Sequence, residues 1–465
     1  MKRMNQCLAA YVLAVIVMLV GTLPAAAQVT EGPLHDYVAK PDASYGWTVR
    51  QKTTLGNVEV VELILTSQTW RDIAWKHRML LFKPPKVSSS RGLMLISGGS
   101  WKDAYDHPPE KAGAGLPKEA FLMAGIARRV KAPVVLLEQV PFQPLFDGMV
   151  EDQIISYTFE KFLETGDPTW PLLLPMAKAA VRAMDATQEY AEKNWSTKID
   201  HFTVTGGSKR GWTTWMVGAV DRRADAIAPI VIDVLNMPKQ MQHQLEAWGE
   251  YSEQIADYTR RGIQLKSQSG RGRELNAIVD PYSYRAVLTQ PKLLIIGTND
   301  RYWPLDALNI YWNDLKGEKY ILYVPNNGHG VNDMKRIVGG ITALHRRAAG
   351  ELALPKLSWD VSENNGKLTL KASSDQTPKS VSAWFATSPT RDFREVKWKS
   401  EPAKQVGDHY EYVLNVPDDG YAALFGEYAF NTEGTPYFLS TNVRIGKGAN
   451  ATTAGAKPAA AGVGG

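Results

Sequence analysis

Cysteine and cofactor motifs are what this sequence most lacks. Its 465 residues include one cysteine, Cys7, so the chain can form no internal disulfide. No HExxH, paired-cysteine or EF-hand pattern occurs, and the GGSKRG stretch lacks the spacing of a phosphate-binding loop. The sequence therefore gives no reason to expect a metal ion or any other cofactor.

Strong charge of either sign is also absent. The 53 basic and 48 acidic residues leave a formal net charge of +5, and no basic run or basic stripe interleaved with aromatic residues occurs. Nucleic-acid-binding proteins typically concentrate positive charge on one face. We therefore expect no nucleic acid partner.

Long apolar runs are scarce, and one lies near the start of the chain. The basic residues MKRMNQ are followed by the apolar stretch LAAYVLAVIVMLV and then by LPAAAQ. This order is typical of a secretory signal, whereas a membrane anchor is less favoured because a spanning helix needs about 20 apolar residues. We predict a signal peptide over residues 1–27 and an exported mature chain, periplasmic or extracellular, without a membrane span.

Hydrophobic patterning predicts an α/β domain over residues 28–353. Short alternating runs between Tyr45 and Pro84 are typical of antiparallel strands. Continuous apolar runs then alternate with segments of helical period, as in parallel sheets that are covered by helices on both faces. The predicted buried strands are LMLIS, APVVLLEQV, HFTVT, AIAPIVIDV, PKLLIIGT and KYILYVP.

Three further segments complete the predicted organisation. A polar, partly helical insertion at about residues 236–288 is predicted to cap a site, the alternative being a surface excursion without function. Regularly spaced alternating runs over 354–446 indicate a small all-β sandwich domain. The low-complexity tail, residues 447–465, is predicted to be disordered.

A serine between glycines, in TVTGGSKRGWTTW, is the candidate nucleophile. Ser208 follows the predicted strand HFTVT and precedes a helical segment, and Gly206 and Gly211 would permit a sharp turn and close packing of helix on strand. The spacing exceeds that of the common G-x-S-x-G motif by one residue. The alternative is a serine that merely caps the helix.

A nucleophilic serine needs a base, and the base needs an acid to orient it. His329 lies in the loop NGHG directly after KYILYVP, and Asp300 lies in GTNDRYWP after PKLLIIGT. Ser208, Asp300 and His329 thus occur in the chain order of an α/β-hydrolase triad, each after a predicted strand. Asp233, at the end of the preceding strand, is the alternative acid.

Catalysis at Ser208 would also need two backbone N–H groups to stabilise an oxyanion. The first candidate is the N–H of Lys209, the residue after the nucleophile. The second lies in the glycine turn SGGSW after LMLIS, with Gly99 favoured and Ser100 as the alternative. The alternative is that SGGSW is an ordinary turn that does not bind an oxyanion.

The sequence resembles the family of PhoPQ-activated pathogenicity-related proteins over most of residues 34–445. The resemblance implies an α/β-hydrolase fold followed by a β domain, with Ser208, Asp300 and His329 in the triad positions. One departure is SGGS where a longer glycine run is expected, which leaves the second oxyanion donor open. The resemblance rests on LHDYVAKPDASYGW, LTSQTWRDIAWKHRMLLFKPP, LISGGSW, VTGGSKRGWTTW, IVIDVLN, GTNDRYWP and VPNNGHG.

These observations predict a secreted serine hydrolase that acts on a small-molecule or peptide substrate. A carboxylic ester is the favoured substrate, because an alcohol leaving group demands less of the general acid than an amine does. The alternatives are an amide or peptide hydrolase, and a binding protein that has kept the fold without the activity.

Overall fold

The computed structural model describes residues 31–452 of the chain. The predicted signal peptide, residues 1–27, lies outside the described residues. The described part begins with the helix α1 (Pro33–Ala39). The strands β1 (Gly46–Leu55), β2 (Val58–Trp70) and β3 (Ile73–Lys83) follow it and form the predicted antiparallel meander.

Six parallel strands form the centre of the sheet: β4 (Arg91–Ile96), β5 (Val134–Leu137), β6 (His201–Gly207), β7 (Ala224–Ile230), β8 (Lys292–Gly297) and β9 (Lys319–Val324). The spatial order is β1-β2-β3-β5-β4-β6-β7-β8-β9, and β3 pairs with β5 in antiparallel fashion. The prediction of a mostly parallel central sheet is confirmed. From β2 to β9, this order defines the topology of the α/β-hydrolase fold.

Helices cover both faces of this sheet, which is why its central strands read as unbroken apolar runs. On β5, Val135 packs in one core with side chains of α3, α4 and α5, whereas its neighbour Leu136 packs in a second core with α2 and α10. These helices are α2 (Ala120–Val130), α3 (Asp152–Thr165), α4 (Leu173–Tyr190), α5 (Lys209–Val220) and α10 (Met334–Ala348).

The segment between β7 and β8, for which the sequence predicts a cap, is helical. Side chains of its first helix bind the main body: Gln240 Nε2 donates to the Ala307 carbonyl oxygen at 3.1 Å and Gln244 Nε2 to that of Tyr302 at 2.9 Å. The four helices are α6 (Met237–Trp248), α7 (Ala256–Thr259), α8 (Ile263–Lys266) and α9 (Gly270–Val279). None of the helices within residues 31–452 is both long and apolar enough to cross a bilayer.

The C-terminal strands form two sheets. One contains β10, β11, β15 and β14 in that order, and the other contains β17, β16, β12 and β13, with β18 also paired to β16. Their bounds are β10 (Leu357–Asn364), β11 (Lys367–Ser374), β12 (Ser380–Ser388), β13 (Lys399–Pro402), β14 (Lys404–Val406), β15 (His409–Asn415), β16 (Tyr421–Thr432), β17 (Thr435–Ser440) and β18 (Arg444–Lys447).

The second of these sheets continues the central sheet instead of standing apart from it. Ser440 of β17 lies opposite Ile321 of β9, and the Tyr323 N–H donates to Ser440 Oγ at 3.1 Å. The result is one 14-stranded sheet. A sequence pattern shows that a strand exists but not which distant edge it joins, and pairing with β17 covers the backbone groups that β9 would otherwise expose.

The predicted disorder of residues 447–465 is wrong for its first part. β18 includes Lys447, and the Gly448 and Asn450 N–H groups donate to the carbonyl oxygens of Gly420 and Asp418 at 2.8 and 2.9 Å. The Tyr421 hydroxyl donates to the Thr452 carbonyl oxygen at 3.0 Å. Backbone bonds that the low-complexity composition does not reveal therefore order this stretch, and residues 453–465 lie outside the described range.

Gly339→Ala should destabilise the fold because α10 approaches β17 too closely for a side chain. A Cβ at residue 339 would lie 2.1 Å from the Pro436 carbonyl oxygen, so backbone would have to move. Overpacking of this kind costs about 1–3 kcal/mol. Gly125→Ala in α2 is the matched control, since its nearest neighbour, an Arg128 nitrogen, is 4.0 Å away. Urea unfolding should show a lower midpoint for Gly339→Ala only; equal midpoints would contradict the close approach.

Candidate active site

Ser208 occupies a sharp turn between β6 and α5. Its backbone angles, φ 58° and ψ −128°, are ones that residues other than glycine rarely adopt. The Ser208 N–H donates to the Ile230 carbonyl oxygen of β7 at 2.8 Å, which holds the turn against the neighbouring strand. Within the described residues, the Ser208 side chain accepts no hydrogen bond from the first turn of α5. Ser208 therefore occupies the N-cap position of α5 without its hydroxyl capping the helix.

Two glycines make this turn possible. A Cβ at residue 206 would lie 2.7 Å from the Arg210 carbonyl oxygen, and one at residue 211 would lie 2.9 Å from that of Gly206. Real Cβ atoms do not approach backbone this closely, so β6 and α5 can meet only because these positions lack side chains. The glycines at the unusual one-residue-longer spacing thus have the steric role that the sequence predicts.

The structure brings Ser208, His329 and Asp300 together from three different strand ends. His329 Nε2 lies 2.7 Å from Ser208 Oγ, and His329 Nδ1 lies 2.9 Å from Asp300 Oδ2 and 3.2 Å from Oδ1. With Nδ1–H donating to the carboxylate, Nε2 is free to accept the proton of the hydroxyl. The three side chains form one chain of hydrogen bonds that ends at the hydroxyl oxygen.

Backbone and ring contacts fix this acid and base. The Tyr302 N–H donates to Asp300 Oδ1 at 2.8 Å, and the Tyr302 ring stacks on the His329 imidazole with centroids 4.0 Å apart. Asp300 is buried, whereas a quarter of the His329 side chain is exposed. The imidazole is thereby oriented by its Nδ1 bond and by the stacked ring, while Nε2 faces Ser208 Oγ. The sequence reasoning missed this role of Tyr302, which its place two residues after Asp300 could have suggested.

Asp233, the alternative acid, occupies a different environment. It is buried, three residues beyond the end of β7, and accepts a hydrogen bond from the Tyr311 hydroxyl at 2.5 Å. Burial raises the pKa of Asp233 to about 7, against the lowering effect of the Tyr311 hydrogen bond. Within residues 31–452, the carboxylate that hydrogen-bonds to His329 is that of Asp300.

The two predicted oxyanion donors lie on adjacent elements. Lys209 is the first residue of α5, where a backbone N–H has no partner within the helix. The SGGS turn follows β4, which pairs with β6, and a Cβ at Gly98 would meet the Arg210 guanidinium at 2.3 Å. Gly99, with φ 111°, is exposed. The turn therefore lies against the start of α5, and the choice of Gly99 or Ser100 as second donor stays a prediction.

An ion-pair network that the sequence reasoning missed surrounds the start of α5. Arg210 donates to both carboxylate oxygens of Glu151, at 2.7 and 2.6 Å, and Lys209 Nζ lies 3.0 Å from Glu151 and 3.0 Å from Asp152. Burial alone would raise the pKa of Glu151, but the Arg210 hydrogen bond and charge outweigh burial and lower it to about 2. Both cations next to Ser208 are thus held by acids. The sequence gave no signal of this network, because more than 50 residues separate the acids from Lys209 and Arg210.

The loops that carry the acid and the base are also tied to the C-terminal β region. Asn299 Nδ2 donates to the Val396 carbonyl oxygen at 2.7 Å. Asn326 donates through Nδ2 to the Trp398 carbonyl oxygen at 3.1 Å and accepts from the Trp398 N–H at 2.8 Å. Asn299 precedes Asp300, and Asn326 lies three residues before His329. The segment between β12 and β13 therefore braces both loops.

A cavity of about 70 Å³ lies beside Ser208 and His329, beneath the helices of the cap. Most of its lining is apolar, with side chains from α3 and α5, from the segments that follow β7 and β8, and from the cap region between them. Among the described residues, no group of three or more His, Cys, Asp and Glu side chains is arranged to hold a metal ion.

Strand order and the position of the Ser208 turn define a protein of the α/β-hydrolase fold. A model of the PhoPQ-activated pathogenicity-related protein family matches residues 34–394. The chain belongs to this family. It is also 32% identical, over 452 residues, to autocrine proliferation repressor protein A of Dictyostelium discoideum, with 89% of this chain and 90% of the relative covered.

Solved structures with similar chain traces include two acetyl xylan esterases. The enzyme from Paenibacillus sp. R4 matches with a TM-score of 0.45 and 13% identity, covering 64% of this chain and 87% of the other. Acetyl xylan esterase 1 from Thermoanaerobacterium sp. JW/SL YS485 matches with a TM-score of 0.43 and 15% identity, covering 65% and 87%. The fold assignment rests on strand order and not on these two likenesses.

Asp233→Asn should change how stability depends on pH. A folded pKa of about 7, above the unfolded value of about 3.9, means that only the folded chain keeps this proton between those values. The group's contribution to stability therefore falls as pH rises through this window and is lowest above the folded pKa. In urea unfolding, the free energy of unfolding of the variant relative to that of the wild type should rise by about 2 kcal/mol between pH 5 and pH 8. If the free energy of unfolding of the variant minus that of the wild type stayed constant or fell between pH 5 and pH 8, the raised pKa would be contradicted.

Proposed function

We propose that this chain is a serine hydrolase that cleaves a carboxylic ester through an acyl-enzyme on Ser208. The observation that carries the proposal is the 2.7 Å separation of His329 Nε2 and Ser208 Oγ, with Asp300 bonded to the opposite ring nitrogen. A general base must lie within hydrogen-bond reach of the proton that it removes. The buried carboxylate meets the further need of a group that stabilises the imidazolium once it forms.

In the first half-reaction, His329 takes the hydroxyl proton as Ser208 Oγ attacks the ester carbonyl carbon. The resulting tetrahedral oxyanion accepts hydrogen bonds from the Lys209 N–H and from an N–H of the SGGS turn. His329 then gives the proton to the leaving alcohol as the carbon–oxygen bond breaks, which leaves the acyl group on Ser208. Asp300 accepts the Nδ1–H bond throughout and stabilises the imidazolium.

The second half-reaction repeats these roles with water as the nucleophile. His329 removes a proton from water as the water oxygen attacks the acyl-enzyme, and it returns the proton to Ser208 Oγ when the acid departs. An ester is favoured over an amide because an alcohol is the better leaving group. We further propose that the chain acts after export, on the basis of the basic, apolar and small-residue pattern in residues 1–27.

The name of the Dictyostelium relative describes repression of proliferation and not hydrolysis. A non-catalytic binding role on the same scaffold is therefore the alternative, since one fold serves many functions. Against it, the strained turn and the complete set of hydrogen-bonded side chains support a working nucleophile, because strain at residue 208 has no structural benefit of its own.

A fluorophosphonate probe should label the mature protein at Ser208, because the probe reacts with a serine whose proton a neighbouring base removes. Ser208→Ala should abolish the labelling, and mass spectrometry of the labelled peptide identifies the site. Ser358→Ala, at an exposed position of β10 away from the site, is the serine control and should still be labelled. Folded wild-type protein that takes up no label would favour the binding role instead.

Asp300→Asn should lower kcat for a p-nitrophenyl ester by about three to four orders of magnitude, because an amide favours the wrong imidazole tautomer. Asp233→Asn should lower it by less than about tenfold, since Asp233 bonds to Tyr311 instead. Steady-state kinetics of the two purified variants provide the comparison. A larger loss in Asp233→Asn would transfer the acid role to that residue.

A further inference from the structure

The cavity beneath the cap is continuous with the Ser208 hydroxyl. Ser208, His329 and Lys209 line it, together with Trp212, one turn after Ser208 in α5. The buried side chains Val234, Ile255, Ile263, Leu275 and Trp303 complete an almost wholly apolar surface. A group attached to Ser208 Oγ would therefore leave water as it entered this space.

Two methionines of the cap form part of this surface. Met237 and Met241 lie four residues apart on α6, on one face of that helix. The other side of α6 is fixed by polar bonds, including the 2.7 Å contact between His243 Nε2 and Asp306 Oδ1. The position of the methionines is thus set by the rest of the helix, and their unbranched side chains can adapt to a ligand.

The charged groups that reach the cavity, and several of its neutral polar groups, already have hydrogen-bond partners within the protein. Asp152 binds Lys209 Nζ at 3.0 Å and accepts from the Tyr258 hydroxyl at 2.9 Å. Asn276 Nδ2 donates to the Ser267 carbonyl oxygen at 3.2 Å, and Ser267 Oγ donates to that of Gln264 at 2.9 Å. The charged groups are therefore not free to bind a charged substrate. Among the described residues, Gln264 Oε1 and Trp303 Nε1 of the lining are buried without a hydrogen-bond partner, but both are uncharged, and the mostly apolar surface favours a neutral, largely apolar group.

We propose that this cavity binds the acyl part of the substrate and selects a short aliphatic chain. The inference rests on the proposed function, because it places that chain on the Ser208 acyl-enzyme. The cap covers the cavity, so the group inside should be the one that stays covalently attached while the alcohol leaves. Since an apolar cavity of about 150 Å³ holds benzene, about 70 Å³ suits roughly three carbons beyond the carbonyl, as in a butanoyl ester.

The test compares two ester series with the purified full-length mature chain. In p-nitrophenyl esters, kcat/KM should rise about tenfold from acetyl to butanoyl, at three- to fourfold for each methylene buried. It should then fall at least tenfold at octanoyl. In acetate esters of alcohols from ethanol to octanol, kcat/KM should change less than threefold. A steady rise to octanoyl, or dependence on the alcohol instead of the acyl group, would overturn the proposal.

Variants of Met241 in the cap test whether the cavity sets the acyl-chain preference. Met241→Phe should lower the butanoyl-to-acetyl ratio of kcat/KM about tenfold, because the larger ring fills the cavity, and Met241→Ala should raise the hexanoyl-to-butanoyl ratio. Leu245→Phe is the matched control on the same helix: Leu245 is 40% exposed and is not part of the lining, so its ratios should equal those of the wild type. Unchanged ratios in both folded Met241 variants would overturn the assignment.

A measurement without turnover separates this inference from the proposed function. Butanamide, a neutral probe with three carbons beyond its carbonyl, is titrated into Ser208→Ala while tryptophan fluorescence is recorded, to which Trp212 and Trp303 of the cavity lining contribute. A saturable change that Met241→Phe weakens at least fivefold would support the apolar site even if Ser208 proved unreactive. No saturable change in folded Ser208→Ala would overturn the acyl site and leave the hydrolase proposal to the labelling experiment.

Discussion

The backbone conformation of Ser208 is the constraint on which the rest of the site depends. A residue with φ 58° and ψ −128° persists only where its surroundings over-determine it. Here the bond to Ile230, the bare glycines at 206 and 211, and the ion pairs of the two following cations all hold the same turn. A hydroxyl on an ordinary helix start would instead be turned towards the helix and occupied by it.

The cap and the hydrogen-bonded chain of Ser208, His329 and Asp300 have different structural requirements. The chain of bonds needs a fixed geometry, which strand ends and backbone donors supply. The cavity needs adaptable walls, which methionines on a separately anchored helix supply. Glu151 and Asp152, at the start of α3, hold the Lys209 side chain where it lines the cavity. The two carboxylates also balance its charge there.

Much of the architecture could be predicted from residues alone, because its signals are local. Continuous apolar runs identified the parallel strands, and the order of Ser208, Asp300 and His329 at strand ends identified the three side chains that meet. What could not be predicted depends on distant partners. The pairing of β17 with β9, the Glu151 network around Arg210 and the order of residues 447–452 all arise from contacts that no short window of sequence contains.

Because C-terminal residues brace the Asp300 and His329 loops, the α/β region of this protein depends on its C-terminal strands. Carbonyl and N–H groups of residues 396 and 398 hold Asn299 and Asn326, and β17 covers the edge of β9. A gene fragment ending after α10 would encode every residue of the hydrogen-bonded chain, yet it would leave these asparagines unheld and a strand edge bare. A replacement of the C-terminal strands by another module would thus have to preserve those backbone contacts to keep the two loops in place.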